Sequence, residues 1–108
     1  MYQYTPPHPG VITQEWSEEH PAVDIACVTG DPIVAAHDGT LNIFWNSRMG
    51  NVVVIRSGEQ KTTYAHLQAT APRGWYSEGE VIGTCGSTGS WSTGPHVHFE
   101  STQPYVFK

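Results

Sequence analysis

The segment His96-Val97-His98-Phe99-Glu100 carries two histidines in a strand-like run, so both imidazoles share one face while Val97 and Phe99 take the other. A second pair, His20 and Asp24, is four residues apart, a spacing that brings both to one point through a helical turn or a bend into a strand. Pro21 favours the bend. Zinc takes four ligands, and a catalytic site draws three from the protein and leaves the fourth position to water. His20, Asp24 and one of the closing histidines meet that requirement, and spacing leaves open whether His96 or His98 is the third ligand. One carboxylate and two neutral imidazoles keep such a site net positive, which lowers the pKa of a bound water and polarises a carbonyl. His66 is then spare. A histidine beside the water, without ligating the metal, can take its proton, hydrogen-bond a developing oxyanion or return a proton to a leaving amine.

The elements that must position these groups are strands. Ten Val, six Ile and eleven Thr against two Leu mark a chain of residues that fit a pleated sheet. With 108 residues, 11 Gly and 8 Pro, the chain predicts one small, turn-rich, all-β domain. Residues 1–10, with Pro6, Pro7, Pro9 and Gly10, read as an extended N-terminal arm, and residues 11–108 as a single domain. Val11-Ile12-Thr13, Ala22 to Ala26 and Pro32 to Ala36 are short strands. Thr40 to Trp45 and Asn51 to Arg56 read as a hairpin, and Lys61 to His66 adds a third antiparallel strand beyond the tight connection Ser57-Gly58-Glu59-Gln60. Leu67 to Gly79 and Gly86 to Pro95 are long loops around Glu80 to Cys85, which together with His96 to Glu100 completes a small antiparallel sheet flanked by loops that wall a groove.

Three segments, taken together, resemble the signatures of the lysostaphin-like (LytM-type) zinc metallopeptidases, in the family's order. They are His20-Pro-Ala-Val-Asp24, Tyr64-Ala-His66-Leu67, and Gly86-Ser-Thr-Gly89 through Pro95-His96-Val-His98-Phe-Glu100. The likeness runs from about Ile12 to Glu100 and includes Gly50 to Ile55 and Gly79-Glu-Val-Ile-Gly83. It implies a peptidase domain over residues 11–108 with one Zn2+ per chain, held by His20, Asp24 and His98. It further implies that His66 and His96 are unligated catalytic histidines and that the substrate is bacterial peptidoglycan peptide, cut at the cell wall. Three departures stand out. Ala22 replaces the glycine usual between the first two ligands, Gln14 and Trp16 occupy the stretch where some relatives carry an oxyanion-stabilising tyrosine, and the Ser90-Trp91 loop is longer than usual.

Other residues have weaker claims. Asn51 reads as a turn residue or a substrate donor, Tyr64 as a substrate contact, and Trp91, five residues before His96, as a groove wall. Glu100 shares parity with His98 and either orients that ring or bonds backbone. His8 and His37 read as solvated turn residues, and Cys27 and Cys85 as buried small hydrophobes, with one disulfide as the alternative. Five basic against ten acidic residues give a net charge of -5 with no basic cluster, which excludes nucleic acid as a partner. No apolar run spans a bilayer, and the opening MYQYTPPHPG lacks the features of a secretion signal. The expectation is a monomer. The competing reading is a non-catalytic module that binds wall peptide or regulates another hydrolase.

Overall fold

The computed structural model describes residues 1–108, with twelve strands and no helix. In chain order these are β1 (Tyr2–Tyr4), β2 (Ile12–Gln14), β3 (Val23–Ala26), β4 (Pro32–Val34), β5 (Gly39–Asn46), β6 (Gly50–Ser57), β7 (Gln60–Leu67), β8 (Ala69–Thr70), β9 (Gly74–Tyr76), β10 (Val81–Thr84), β11 (His96–Ser101) and β12 (Tyr105–Phe107). Seven of them form an antiparallel sheet in the order β2-β3-β11-β7-β6-β5-β9. A second antiparallel sheet has the order β4-β10-β8, and β1 pairs with β12 in parallel. No helix is long and apolar enough to cross a membrane.

Alternation decides the two faces of the large sheet. Ile25, Leu41, Val53, Ile55, Tyr64, Val97 and Phe99 point inward and meet Ile33 and Ile82 of the small sheet in one buried core. Each such aliphatic side chain contributes roughly 1.5–3 kcal/mol by leaving water. The residues between them, among them Asp24, Val52, Val54, Ala65, His96 and His98, line the other face, which has only a small apolar patch of its own. The β5-β6-β7 meander is the expected hairpin with its third strand, and Gly58 at φ 57° makes the tight turn before Gln60.

Residues 1–10 are extended but woven into the domain. Tyr4 is buried in the core and stacks on His37 and Tyr105 at 5.1 and 5.3 Å. Pro7 O accepts a hydrogen bond from Val34 N at 3.0 Å. The cysteines form the Cys27–Cys85 disulfide rather than remaining small hydrophobes, and the bond ties the end of β3 to the end of β10, hence one sheet to the other.

His37 also departs from expectation, being 6% exposed rather than solvated. Its Nδ1–H donates to Asp38 O at 2.7 Å, which leaves Nε2 to accept from Thr62 Oγ1 at 2.9 Å. Thr62 in turn accepts from the Tyr64 hydroxyl at 2.7 Å, and that hydroxyl accepts from Ala36 N at 3.0 Å. Every donor in this buried chain has one acceptor, provided His37 is neutral.

Candidate active site

The β3–β11 register sets the centre of the site, because Asp24 and His98 are direct cross-strand partners on the open face. The two side chains meet with Asp24 Oδ1 3.4 Å from His98 Nδ1. His20 arrives from the turn before β3, where Ser17 caps it by accepting from His20 N, and its Nε2 lies 3.5 Å from Asp24 Oδ2. The ligand atoms of His20, Asp24 and His98 all lie within 4.8 Å of one another. Ala22, in place of glycine, is buried without strain: it lacks a positive φ, and its carbonyl accepts from His20 Nδ1 at 3.1 Å.

His66 reaches the same face by a different device. Val53 pairs with Tyr64 and Asn51 with Leu67, so β7 has one residue more than β6 between these pairs. His66 is that extra residue, with φ 64°, the left-handed conformation that non-glycine residues seldom adopt. The bulge breaks the alternation: Tyr64 and Leu67 enter the core, while Ala65 joins the apolar patch of the open face and His66 faces the site. Tyr64 is therefore corrected from substrate contact to core residue. It is fully buried and its hydroxyl is used internally, because regular alternation from His66 does not survive the bulge.

Backbone carbonyls select the tautomers. His20, His66 and His96 each face a carbonyl with Nδ1: Ala22 O at 3.1 Å, Thr88 O at 2.7 Å and Gly94 O at 2.8 Å. A carbonyl only accepts, so each ring carries its proton on Nδ1 and presents the Nε2 lone pair. His98 is turned the other way, with Nε2 3.6 Å from Glu100 Oε2 and Nδ1 towards Asp24. The nearby His98 ring holds the Glu100 carboxyl below its ordinary range, against the opposing effect of burial. Burial lowers the pKa of His66, against the opposing pull of its hydrogen bond to the Thr88 carbonyl.

The outcome is lone pairs of ring nitrogen and carboxylate oxygen converging on one point. Asp24 Oδ1 is buried without a hydrogen-bond partner. An unpaired buried anion facing unprotonated nitrogens is costly unless a cation sits among them. Tetrahedral bonds of about 2.0–2.2 Å separate ligand atoms by about 3.3–3.6 Å, and the measured 3.4 and 3.5 Å fall in that range. His20, Asp24 and His98 therefore fit a metal ion. His96 Nε2 stands slightly farther from Asp24 Oδ1, at 3.7 Å, and its ring lies 5.0 Å from that of His66.

These groups share a cavity of about 740 Å³ with Gln14, Glu19, Met49 and Trp91. Trp91, 60% exposed, forms one wall under the Arg48 guanidinium, 5.2 Å from the ring centroid. Its loop is held close by two glycines: a Cβ at Gly50 would lie 2.3 Å from Thr88 Oγ1, and one at Gly89 would lie 2.4 Å from Arg48 O. Asn51 is not brought to the cavity. Its side-chain amide donates to Leu67 O and Gln68 O at 3.0 and 3.3 Å, so it braces the bulge instead of meeting a substrate. Met49 and the carbonyls of Thr88 and Gly94 escaped the sequence reading, since backbone acceptors and a lone methionine leave no pattern.

A His-Asp-His set that fits a metal ion, with two further directed histidines beside it on an all-β sheet lined by a groove, is the arrangement of a metallopeptidase. Residues 18–105 match peptidase family M23. The chain belongs to that family. It is 42% identical over 85 residues to the DD-carboxypeptidase/endopeptidase Mpg of Neisseria meningitidis serogroup B, covering 76% of this chain and 20% of that protein. The chain thus spans about a fifth of the length of that curated relative. A zinc containing peptidase from Vibrio cholerae has the same fold, with a TM-score of 0.79 and 28% identity over 90% of this chain and 35% of that one. The catalytic domain of lysostaphin from Staphylococcus simulans matches with a TM-score of 0.70 and 29% identity, over 94% of this chain and 77% of that one.

Proposed function

We propose that the chain is a zinc-dependent endopeptidase that hydrolyses peptide bonds of bacterial peptidoglycan, in the stem peptides or the cross-bridges, and acts at the cell wall. The observation that carries the reading is the convergence of unprotonated nitrogens on the unpartnered Asp24 Oδ1. The Neisseria relative, whose name pairs DD-carboxypeptidase with endopeptidase, supports the substrate class. All five groups belong to one chain, which supports a monomer with one Zn2+.

His20, Asp24 and His98 would hold the zinc, which when bound supplies Lewis acidity to activate water and polarise the scissile carbonyl. Glu100 fixes the His98 ring so that Nδ1 remains a lone-pair donor. His66 and His96 present Nε2 to the cavity as proton acceptors, and each has its Nδ1–H anchored to backbone. One of them takes the proton of the attacking water; the protonated ring then delivers it to the departing nitrogen as the peptide bond breaks. The other lies beside the reacting atoms, and its Nε2 hydrogen-bonds the oxyanion developing on the substrate when it has taken a second proton from solvent. Trp91 and Met49 pack along the peptide and limit the access of bulk water. Water is the nucleophile, so no acyl-enzyme is formed.

The test is mass spectrometry of soluble fragments released from purified peptidoglycan of several cross-link types, with a chelated control. Chelator-sensitive fragments with new peptide ends are expected. A zinc-loaded chain that releases nothing from any wall would overturn the reading in favour of a binding module.

A further inference from the structure

Beyond the metal centre, the open face of the large sheet continues into a second cavity of about 480 Å³, which shares Met49 and Glu100 with the first. Phe44, Val52 and Val54 give it an apolar floor, and Arg56 and Lys61 stand at its far end. Arg56 and Lys61 are direct cross-strand partners on β6 and β7. Like charges placed opposite one another destabilise an antiparallel pair. Neither side chain makes a hydrogen bond or an ion pair, and their row of the sheet supplies no acid: Thr40 lies beside Arg56, and Thr102 bonds the Lys61 backbone.

The chain has only five basic residues and a net charge of -5, so two unpaired cations forced together are a conspicuous use of a scarce charge. The other cations are engaged: Lys108 with Glu78, Arg73 with Ile43 O, and Arg48 over Trp91. The one acid lining this cavity, Glu100, lies diagonally across from Lys61 and feels its charge, but its carboxylate is turned to His98, so two cations share one acid that is already engaged. A net positive end on an apolar floor, continuous with a peptide groove, suits an acidic group carried on the same peptide.

Resting on the endopeptidase reading, we infer that Arg56 and Lys61 form a carboxylate-binding subsite that selects substrates by an acid at a fixed distance from the cleaved bond. The register gives the distance. His98 pairs with Ala65, and Lys61 lies four residues farther along β7, hence about 13 Å along the strand direction from the row that holds His98, at ~3.3 Å per residue. An extended peptide covers that span in about four residues. The carboxylate bridges the guanidinium and the ammonium and relieves their repulsion, while Phe44, Val52 and Val54 pack against the aliphatic part of its side chain.

The experiment uses synthetic peptides that are identical except for Glu or Gln at the fourth residue from the cleaved bond, with versions for either flank. The zinc-loaded chain is expected to favour Glu over Gln by about tenfold in kcat/KM on one flank. In R56Q/K61Q that ratio falls to about one, and in R56K/K61R it is restored. A wild-type ratio near one on both flanks, or a preference that survives R56Q/K61Q, overturns the subsite. If the wild-type chain cleaves neither peptide, the hydrolase reading fails by itself. Dissociation constants of the same peptides then judge the subsite, with the same ratio and the same loss expected.

Discussion

Breaking the Cys27–Cys85 bond is expected to cost as much stability as truncating a large core side chain. The two cysteines are 58 residues apart. A cross-link closing a loop of that length removes about 14 cal/mol/K from the unfolded chain, or about 4 kcal/mol at 25 °C. Domains of this size are stable by about 5–15 kcal/mol, so the loss is a large fraction of the total and lowers Tm by roughly 20 °C. The loop enclosed by the bond contains β4 to β10, the whole meander and the small sheet, so few other contacts substitute for it in the unfolded state. Urea unfolding of C27A/C85A against the oxidised wild type is the assay. A lower midpoint is expected with a higher m-value, because the uncrosslinked chain exposes more surface when unfolded. A loss below about 1 kcal/mol with an unchanged m would refute the entropic account. In the folded variant β3 is still paired to β2 and β11, so zinc stoichiometry should be unchanged.

Other outcomes follow from the same geometry. H98A should abolish tight zinc binding in a chelator competition, whereas H66A should keep zinc and lose about 10²–10⁴ in turnover; equal zinc loss in both would contradict the assigned roles. Excess zinc at about 1,000 times its Kd should raise unfolding free energy by about 4 kcal/mol, read as a chelator-reversible shift in Tm. Burial lowers the His37 pKa, against the opposing influence of Asp38 and Glu78, so the unfolded chain binds more protons than the folded one below about pH 6.5. The stability His37 contributes is thus complete above that pH and is lost as pH falls through it towards the folded pKa; H37Q should flatten this limb in urea titrations at stepped pH. W91A should lower kcat/KM on wall peptides by about tenfold with zinc content unchanged.

Much of the site could be read from strand parity. His96, His98 and Glu100 alternate with Val97 and Phe99 as a half-buried strand requires, and Asp24 alternates with Val23 and Ile25 in the same way. What parity cannot convey is which strand lies beside which, and here that decides everything: Asp24 meets His98 only because β3 and β11 pair in one register. The disulfide was hidden for the same reason, since pairing across 58 residues is a property of the assembled sheets. His37 looked like a turn residue because His-Asp-Gly is a turn signal, and the turn is there; burial came from Tyr4 of the N-terminal arm stacking on the ring. A Pro-rich opening has no periodicity from which a buried tyrosine could be inferred.

The deepest miss, at Tyr64, also explains the site. Regular alternation puts residues 64 and 66 on one face, so a strand without a bulge would send His66 into the core or Tyr64 out of it. Neither is tolerable: Tyr64 terminates a buried hydrogen-bond chain, and losing its hydroxyl would leave Ala36 N without a partner and Thr62 with only His37. One inserted residue resolves the conflict by giving each side chain its own face. The φ of 64° costs on the order of 1–2 kcal/mol, and the surrounding contacts hold it: His66 N donates to Met49 O, Thr88 O takes the ring proton, and Asn51 clamps the strand just beyond the bulge. The same carbonyls that stabilise the strained backbone also choose the tautomer, so the conformation and the direction of the Nε2 lone pair form one arrangement. A histidine placed by regular alternation would share its row with neighbours of both strands and could be neither so buried nor so directed.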